Sequence, residues 1–167
     1  MHVLITGATS SGKTELAKRL CAGAKARGRL TGVLDPINTP YGADFQTRNP
    51  AEFKQIVEMN TNMDLFIDEG GEAIGRYQDE MLFLATRVRH RGCRSYFIAQ
   101  RPKMINATAR GQCSEIYTFR LSKKDAYELA DEFSNENFRA AHLLGKLEYI
   151  WGDVFGNARH GKITFDN

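Results

Sequence analysis

The segment Gly7-Ala8-Thr9-Ser10-Ser11-Gly12-Lys13-Thr14 fits the pattern GxxxxGK[ST] without a mismatch. Its context gives it force. His2 to Thr6 is a short apolar run suited to a buried strand. Lys13 to about Arg27 carries Leu16, Leu20 and Ala24 on one helical face, and Gly28 closes it. A strand, a glycine loop and a helix in that order place backbone amides at a helix amino terminus, where anions are favoured. The glycines let the loop curl round a phosphate. Lys13 would reach the β- and γ-phosphates of ATP, and the Thr14 hydroxyl would ligate Mg²⁺. The expected nucleotide-binding set is Gly7, Ala8, Thr9, Ser10, Ser11, Gly12, Lys13, Thr14 and Glu15.

Further apolar runs alternate with helical patterns. Leu30 to Leu34 reads as a second strand, ended by Asp35-Pro36. A turn-rich stretch runs from Ile37 to Pro50. Ala51 to Met59 reads as a helix opened by the cap Asn49-Pro50. Leu65 to Ile67, Tyr96 to Ala99 and Ile116 to Phe119 read as strands three to five. Between them, Tyr77 to Arg91 is helical with the stripe Tyr77, Met81, Leu84, Ala85 and Val88. Ser122 and Asp125 form a capping-box-like start to a helix carrying Ala126, Leu129, Ala130 and Phe133. Another helix spans about Asn137 to Leu144. Leu147 to Trp151 and Lys162 to Phe165 read as a closing β-hairpin. Strands alternating with helices predict an α/β fold, a mainly parallel sheet with helices on both faces.

The third strand ends in Asp68-Glu69. Carboxylates at the carboxyl edge of an open sheet face the ligand crevice. Asp68 would hold Mg²⁺ through water and Glu69 would polarise the water that attacks the γ-phosphate. At the end of the fourth strand, Gln100 could sense the γ-phosphate or orient that water. Arg87, Arg89, His90, Arg91 and Arg94 put five basic side chains into eight residues. They fit a solvated helix end, an arginine acting on a neighbouring subunit's phosphoryl group, or contacts to a nucleic-acid backbone.

With 167 residues the chain is expected to be one domain, 1–167. It is 42% hydrophobic and 26% charged, ordinary globular values that exclude a disordered or collagen-like chain. A net charge of +3 permits a nucleic-acid partner without arguing for one. Cys21, Cys93 and Cys113 form no CxxC pair, so a zinc site or disulfide framework is not expected. No run approaches the ~20 apolar residues of a membrane span, and no signal peptide is evident. A cytoplasmic location is expected.

The phosphate loop, the Asp-Glu strand, and Arg89-His90-Arg91-Gly92 followed by Phe97-Ile98-Ala99-Gln100-Arg101-Pro102 resemble the HerA/FtsK family of DNA-translocating ATPases. Ile116 to Arg120 and Leu34-Asp35-Pro36 resemble that family's neighbouring strands, so the likeness covers most of residues 1–133. It implies a RecA-like P-loop fold with strand order 5-1-4-3-2, counted along the chain. It also implies Mg²⁺ at Thr14 and Asp68, water activation at Glu69 and sensing at Gln100. Arg89 is the best match for the family's intersubunit arginine and Arg91 the next. Family members act as ring oligomers on double-stranded DNA. The chain starts at its first strand and carries no winged helix, an economy that resembles the genome-packaging ATPases of small-capsid viruses. A hexameric or pentameric ring at a capsid vertex follows from that resemblance. The alternatives are another phage morphogenesis or secretion ATPase, a P-loop nucleoside kinase, and an adaptor that binds ATP without turnover.

Overall fold

His2 to Thr6 are buried without exception, as befits a central strand covered on both faces. The computed structural model describes residues 1–68 and 78–165. Its elements are β1 (His2–Thr6), α1 (Lys13–Ala26), β2 (Leu30–Leu34), β3 (Phe45–Thr47), α2 (Pro50–Met59), β4 (Met63–Asp68), α3 (Gln78–Thr86), β5 (Arg94–Ala99), α4 (Ala107–Gly111), β6 (Cys113–Thr118), α5 (Lys123–Glu132), β7 (Glu148–Asp153) and β8 (Ala158–Lys162). Single 3₁₀ segments lie at Val88–Arg91, Pro102–Met104 and Glu136–Leu143.

Among the described residues the strands form one sheet in the order β3-β2-β4-β5-β1-β6-β7-β8. The five strands expected from the sequence are β1, β2, β4, β5 and β6. Taken alone they stand 5-1-4-3-2 and pair in parallel. The full eight-stranded order differs from that expectation at both edges. β3 adds a parallel strand beside β2. β7 and β8 add an antiparallel ribbon beyond β6.

Side chains alternate across the sheet with the strand period of two. Val3 and Ile5 join one core with Leu16, Ala17 and Cys21 of α1. Leu4 joins the other with residues of α2, α3, α4 and α5, including Phe53, Leu84, Ala109 and Leu129. Helices therefore cover both faces, with α1 alone on one.

Several boundaries differ from the sequence expectation. The helix expected to run to Arg91 ends at Thr86. A 3₁₀ turn follows, and Gly92 reverses the chain at φ 72°. The Asn137–Leu144 helix is a 3₁₀ segment. The second hairpin strand is Ala158–Lys162 rather than Lys162–Phe165, because Asp153 and Asn157 close the turn early: Asp153 N donates to the Asn157 carbonyl (3.1 Å). Tyr77 and the Met81 side chain, like Glu69, lie outside the described residues.

His2 illustrates how tightly the strand is enclosed. Its Nδ1 accepts from Ser95 N (2.9 Å), and its ring meets Phe97 edge-on. Burial, the largest cause, holds its pKa down to about 4. The unfolded chain binds this proton near pH 6.5 and the folded chain refuses it until about 4. Stability is therefore unaffected above pH 6.5 and falls as the pH drops between those values. Between pH 7 and 4.5 the loss from this residue is about 2.5 kcal/mol. Urea unfolding of the parent and of His2→Leu at both pH values should show the variant losing less in acid by about that amount. Equal acid sensitivity would refute the assignment.

Candidate functional site

The carboxyl ends of the parallel strands come level at one edge. Thr6 pairs with Ala99 on one side and Thr118 on the other, and Asp68 with Ile98. Gly7, Asp68 and Gln100 leave the sheet together there, where open α/β sheets take ligands.

The loop's curl is built into its backbone. Gly7 has φ 147° and Gly12 φ 120°. A Cβ on Gly7 would meet Phe119 Cβ at 2.5 Å, and one on Gly12 would meet the Phe119 ring at 2.9 Å. The loop is also tied to its neighbours: Ala8 N donates to the Arg120 carbonyl (2.8 Å), and Leu147 N to the Ser11 carbonyl (3.2 Å). Ser11 N donates to the Ala8 carbonyl (3.3 Å), and most of the loop's other donors stay unspent. Leu16 N is the first amide of α1 to find a loop carbonyl, that of Gly12 (2.9 Å). The amides of Thr9, Ser10, Gly12, Lys13, Thr14 and Glu15 have no acceptor among the described residues. Ser11 Oγ is buried and likewise without a partner there. Unspent donors at a helix amino terminus fit an anion. All nine residues of the expected nucleotide-binding set lie in this loop and the first turn of α1. The Glu15 carboxylate itself pairs with Arg19 (3.1 Å).

Lys13 Nζ donates to the Gly7 and Ala8 carbonyls (2.7 and 2.8 Å), so its ammonium lies over the cradle. Burial lowers its pKa, and Asp68 opposes that. At the end of β4 the Asp68 carboxyl is pushed above the usual carboxylate range by burial. The Tyr41 hydrogen bond and Lys13 pull it down, and Asp35 pushes it up. Tyr41 was not among the residues singled out in the sequence. Its hydroxyl donates to Asp68 Oδ2 (2.7 Å). Burial, then Asp68, drives the Tyr41 phenol far above its usual pKa.

Thr14 and Asp68 offer a hydroxyl and a carboxylate, hard oxygens that suit Mg²⁺. No group of three or more His, Cys, Asp or Glu able to hold a metal occurs among the described residues. A cation that takes one or two protein oxygens and otherwise substrate phosphates needs none. Gln100 is exposed just past β5. The neighbouring Arg101 fixes its place, because the Arg101 guanidinium grips Asp125 of α5 through two bonds (3.0 and 2.9 Å). Glu69, the expected water-activating residue, lies outside the described residues.

The arginines go to the opposite edge. Arg89 sits in the 3₁₀ turn before β5, six residues of strand away from Gln100, about 20 Å at 3.3 Å per residue. Its side chain is exposed and makes no hydrogen bond or ion pair among the described residues. With Arg27, Arg29 and Arg94 it lines a cavity of about 390 Å³. Arg91, the second candidate, is otherwise engaged. Its guanidinium donates to the carbonyls of Glu58 (2.5 Å) and Asn60 (3.1 and 3.2 Å), closing the carboxyl end of α2.

No family model matches the chain, and no curated protein matches it. Solved structures do. The genome packaging NTPase B204 from Sulfolobus turreted icosahedral virus 2, in complex with sulfate, is 16% identical, with a TM-score of 0.81 over 99% of this chain and 97% of that one. B204, the DNA-packaging ATPase from Sulfolobus turreted icosahedral virus, is 17% identical, with a TM-score of 0.77 over 98% of each chain. The pCW3 conjugation coupling protein TcpA is 14% identical, with a TM-score of 0.73 over 96% of this chain and 59% of TcpA. The fold is that of an α/β P-loop ATPase. The B204 neighbours are themselves described as packaging enzymes, as in the resemblance drawn from the motifs, and what this chain shares with them is the fold.

The two arginines should separate in a stability measurement. Arg91→Ala strips charged donors from helix-end carbonyls and should cost about 1–3 kcal/mol in urea unfolding. Arg89→Ala should stay within about 0.5 kcal/mol of the parent. A neutral Arg91→Ala would contradict the tether.

Proposed function

We propose that the chain is a Mg²⁺-dependent ATPase that drives double-stranded DNA through a ring of its own copies. We further propose that it packages a viral genome into a capsid. The observation that carries this reading is the separation of its charged groups. The phosphate cradle and Asp68 share one edge of the sheet, whereas the Arg89 side chain, at the other, is exposed and has no partner among the described residues. An arginine so placed does not reach the cradle of its own chain, but it suits the cradle of a neighbour. RecA-like rings complete their sites in this way, and the B204 proteins with the same fold are described as packaging enzymes.

In this reading the free amides of Thr9, Ser10 and Gly12 to Glu15 receive the β- and γ-phosphates of ATP. Lys13 leaves the Gly7 and Ala8 carbonyls and turns to the γ-phosphate. Thr14 and Asp68 hold Mg²⁺, which supplies charge neutralisation for those phosphates. Glu69 accepts a proton from the attacking water, and Gln100, at the end of the strand between Asp68 and the loop, orients that water. Arg89 of the next subunit stabilises the charge that develops on the transferring group. No helix of the described residues is long and apolar enough to cross a membrane. A hexamer or pentamer docked at a capsid vertex, in the host cytoplasm or on the virion, fits a chain of this kind.

The test is hydrolysis of ATP with and without linear duplex DNA. The parent should hydrolyse ATP faster with DNA, and Lys13→Ala should not turn over. No hydrolysis by the parent, or phosphate transfer to a nucleoside, would overturn the reading. Arg89→Ala should bind nucleotide normally and lose roughly 10³-fold or more in rate. Mixing it with Glu69→Gln should restore some activity, since hybrid interfaces pair an intact Glu69 with an intact Arg89. Normal hydrolysis by Arg89→Ala and no recovery in the mixture would exclude the role in a neighbour's site.

A further inference from the structure

The stretch between Asp35 and Asp44 reads in the sequence as turns, yet it is pinned along its length. Asp35, buried at the end of β2, accepts from Ile37 N (2.9 Å) and Thr39 N (2.6 Å). Gln46 of β3 donates to the Thr39 carbonyl (2.7 Å) and accepts from Tyr41 N (3.4 Å). Lys25 of α1 donates to the Gly42 carbonyl (2.8 Å) and pairs with Asp44 (3.2 Å). Asp44 in turn accepts from the backbone and hydroxyl of Thr31 (2.9 and 2.8 Å). Anchored on β2, β3 and α1, this strap carries one large side chain inward. Tyr41 is 5% exposed, and its ring belongs to the core beneath α1 with Leu16, Ala17 and Phe66.

A buried tyrosine needs a partner for its hydroxyl. Here the partner is the carboxylate at the end of β4, Asp68 Oδ2 at 2.7 Å. Asp68 Oδ1 has no hydrogen-bond partner among the described residues. No ion pair between Lys13 and Asp68 occurs there either, because Lys13 is drawn to the Gly7 and Ala8 carbonyls. A phenol in this position has a property that an ammonium would lack. It fixes the direction of the carboxylate while leaving its full negative charge for a cation. The ring has only two rotatable bonds, both held by packing, so the direction is rigid.

We propose that Tyr41 is a positioning residue of the divalent-cation site, holding Asp68 so that its second oxygen, together with the Thr14 hydroxyl, meets the ion that accompanies the nucleotide. The inference rests on the reading of the loop as a nucleotide site and adds a residue to it. Partners that orient a liganding side chain typically carry 10–100-fold in metal affinity.

The experiment measures Mn²⁺ binding to the ADP complex by electron paramagnetic resonance, with ADP affinity in EDTA measured beside it. Tyr41→Phe keeps the ring and removes only the hydroxyl. It should retain the parent's unfolding midpoint to within a few degrees and its metal-free ADP affinity, yet bind Mn²⁺ at least tenfold more weakly. In an Asp68→Asn background the same change should have no further effect, because the oxygen it orients has lost its charge. Parent-like Mn²⁺ affinity in Tyr41→Phe would overturn the proposal. So would an equal loss of metal-free ADP binding, which would make Tyr41 a support of the loop, and so would a further tenfold loss on top of Asp68→Asn. A parent chain that binds no ADP in EDTA or with Mn²⁺ would overturn the nucleotide reading itself, and the proposal with it.

Discussion

The packing of Phe119 against the loop Gly7 to Gly12 is the contact on which the site depends. Phe119 follows β6, beside β1, and its own N–H donates to the Thr6 carbonyl (2.8 Å). Its side chain fills the space that a Cβ would need at Gly7 and at Gly12. Both glycines then adopt positive φ, which costs them little and would strain any other residue. The chain is thereby forced into a curl with its amides turned towards the start of α1. Ser11, between them, is anchored by Leu147 N, so the segment before β7 holds the loop from the other side. The antiparallel ribbon at the sheet's edge thus has a local role in shaping the site.

Electrostatics follow from this geometry. A cradle of unspent N–H donors has a positive character. The nearest cation, Lys13, is held over it by two carbonyls instead of by a carboxylate. Burial raises the pKa of Asp68 and lowers that of Lys13, so each is costly to keep charged. A polyanion accompanied by a divalent cation would relieve both at once, since the phosphates compensate Lys13 and the cation compensates Asp68. The arginines at the far edge contribute nothing to this balance within one chain.

Much of the fold was legible because its signals are local. The GxxxxGK[ST] pattern, the cap at Asn49 and the apolar runs of β1, β4 and β5 each depend on neighbours in sequence, and each stands where the pattern put it. The strand order needed the family resemblance, since no local signal orders a parallel sheet. What escaped is long-range. Tyr41 sits 27 residues before its partner Asp68, in a stretch whose prolines and polar residues suggest only turns. Arg91 ranked second to Arg89 in the sequence, where nothing shows that its guanidinium lies on the carbonyls of Glu58 and Asn60 at the end of α2. The helix before β5 stops short of Arg91 because the chain must turn back at Gly92 to enter the sheet, where a Cβ would collide with Asn62 Oδ1. Tertiary context outweighs the helical pattern at that point.

The central claim is that the loop and the first turn of α1 form a ready cradle in which the amides of Thr9, Ser10 and Gly12 to Glu15, without an acceptor among the described residues, are free until a phosphate arrives. Amide hydrogen exchange, followed by mass spectrometry with and without Mg²⁺–ADP, tests it directly. The account predicts slowed exchange confined to the loop and the first turn of α1 on adding nucleotide, with the peptide covering Arg89 to Gly92 unchanged in the monomer. Exchange in the loop that is already slow without nucleotide, or that does not respond to it, would contradict the account.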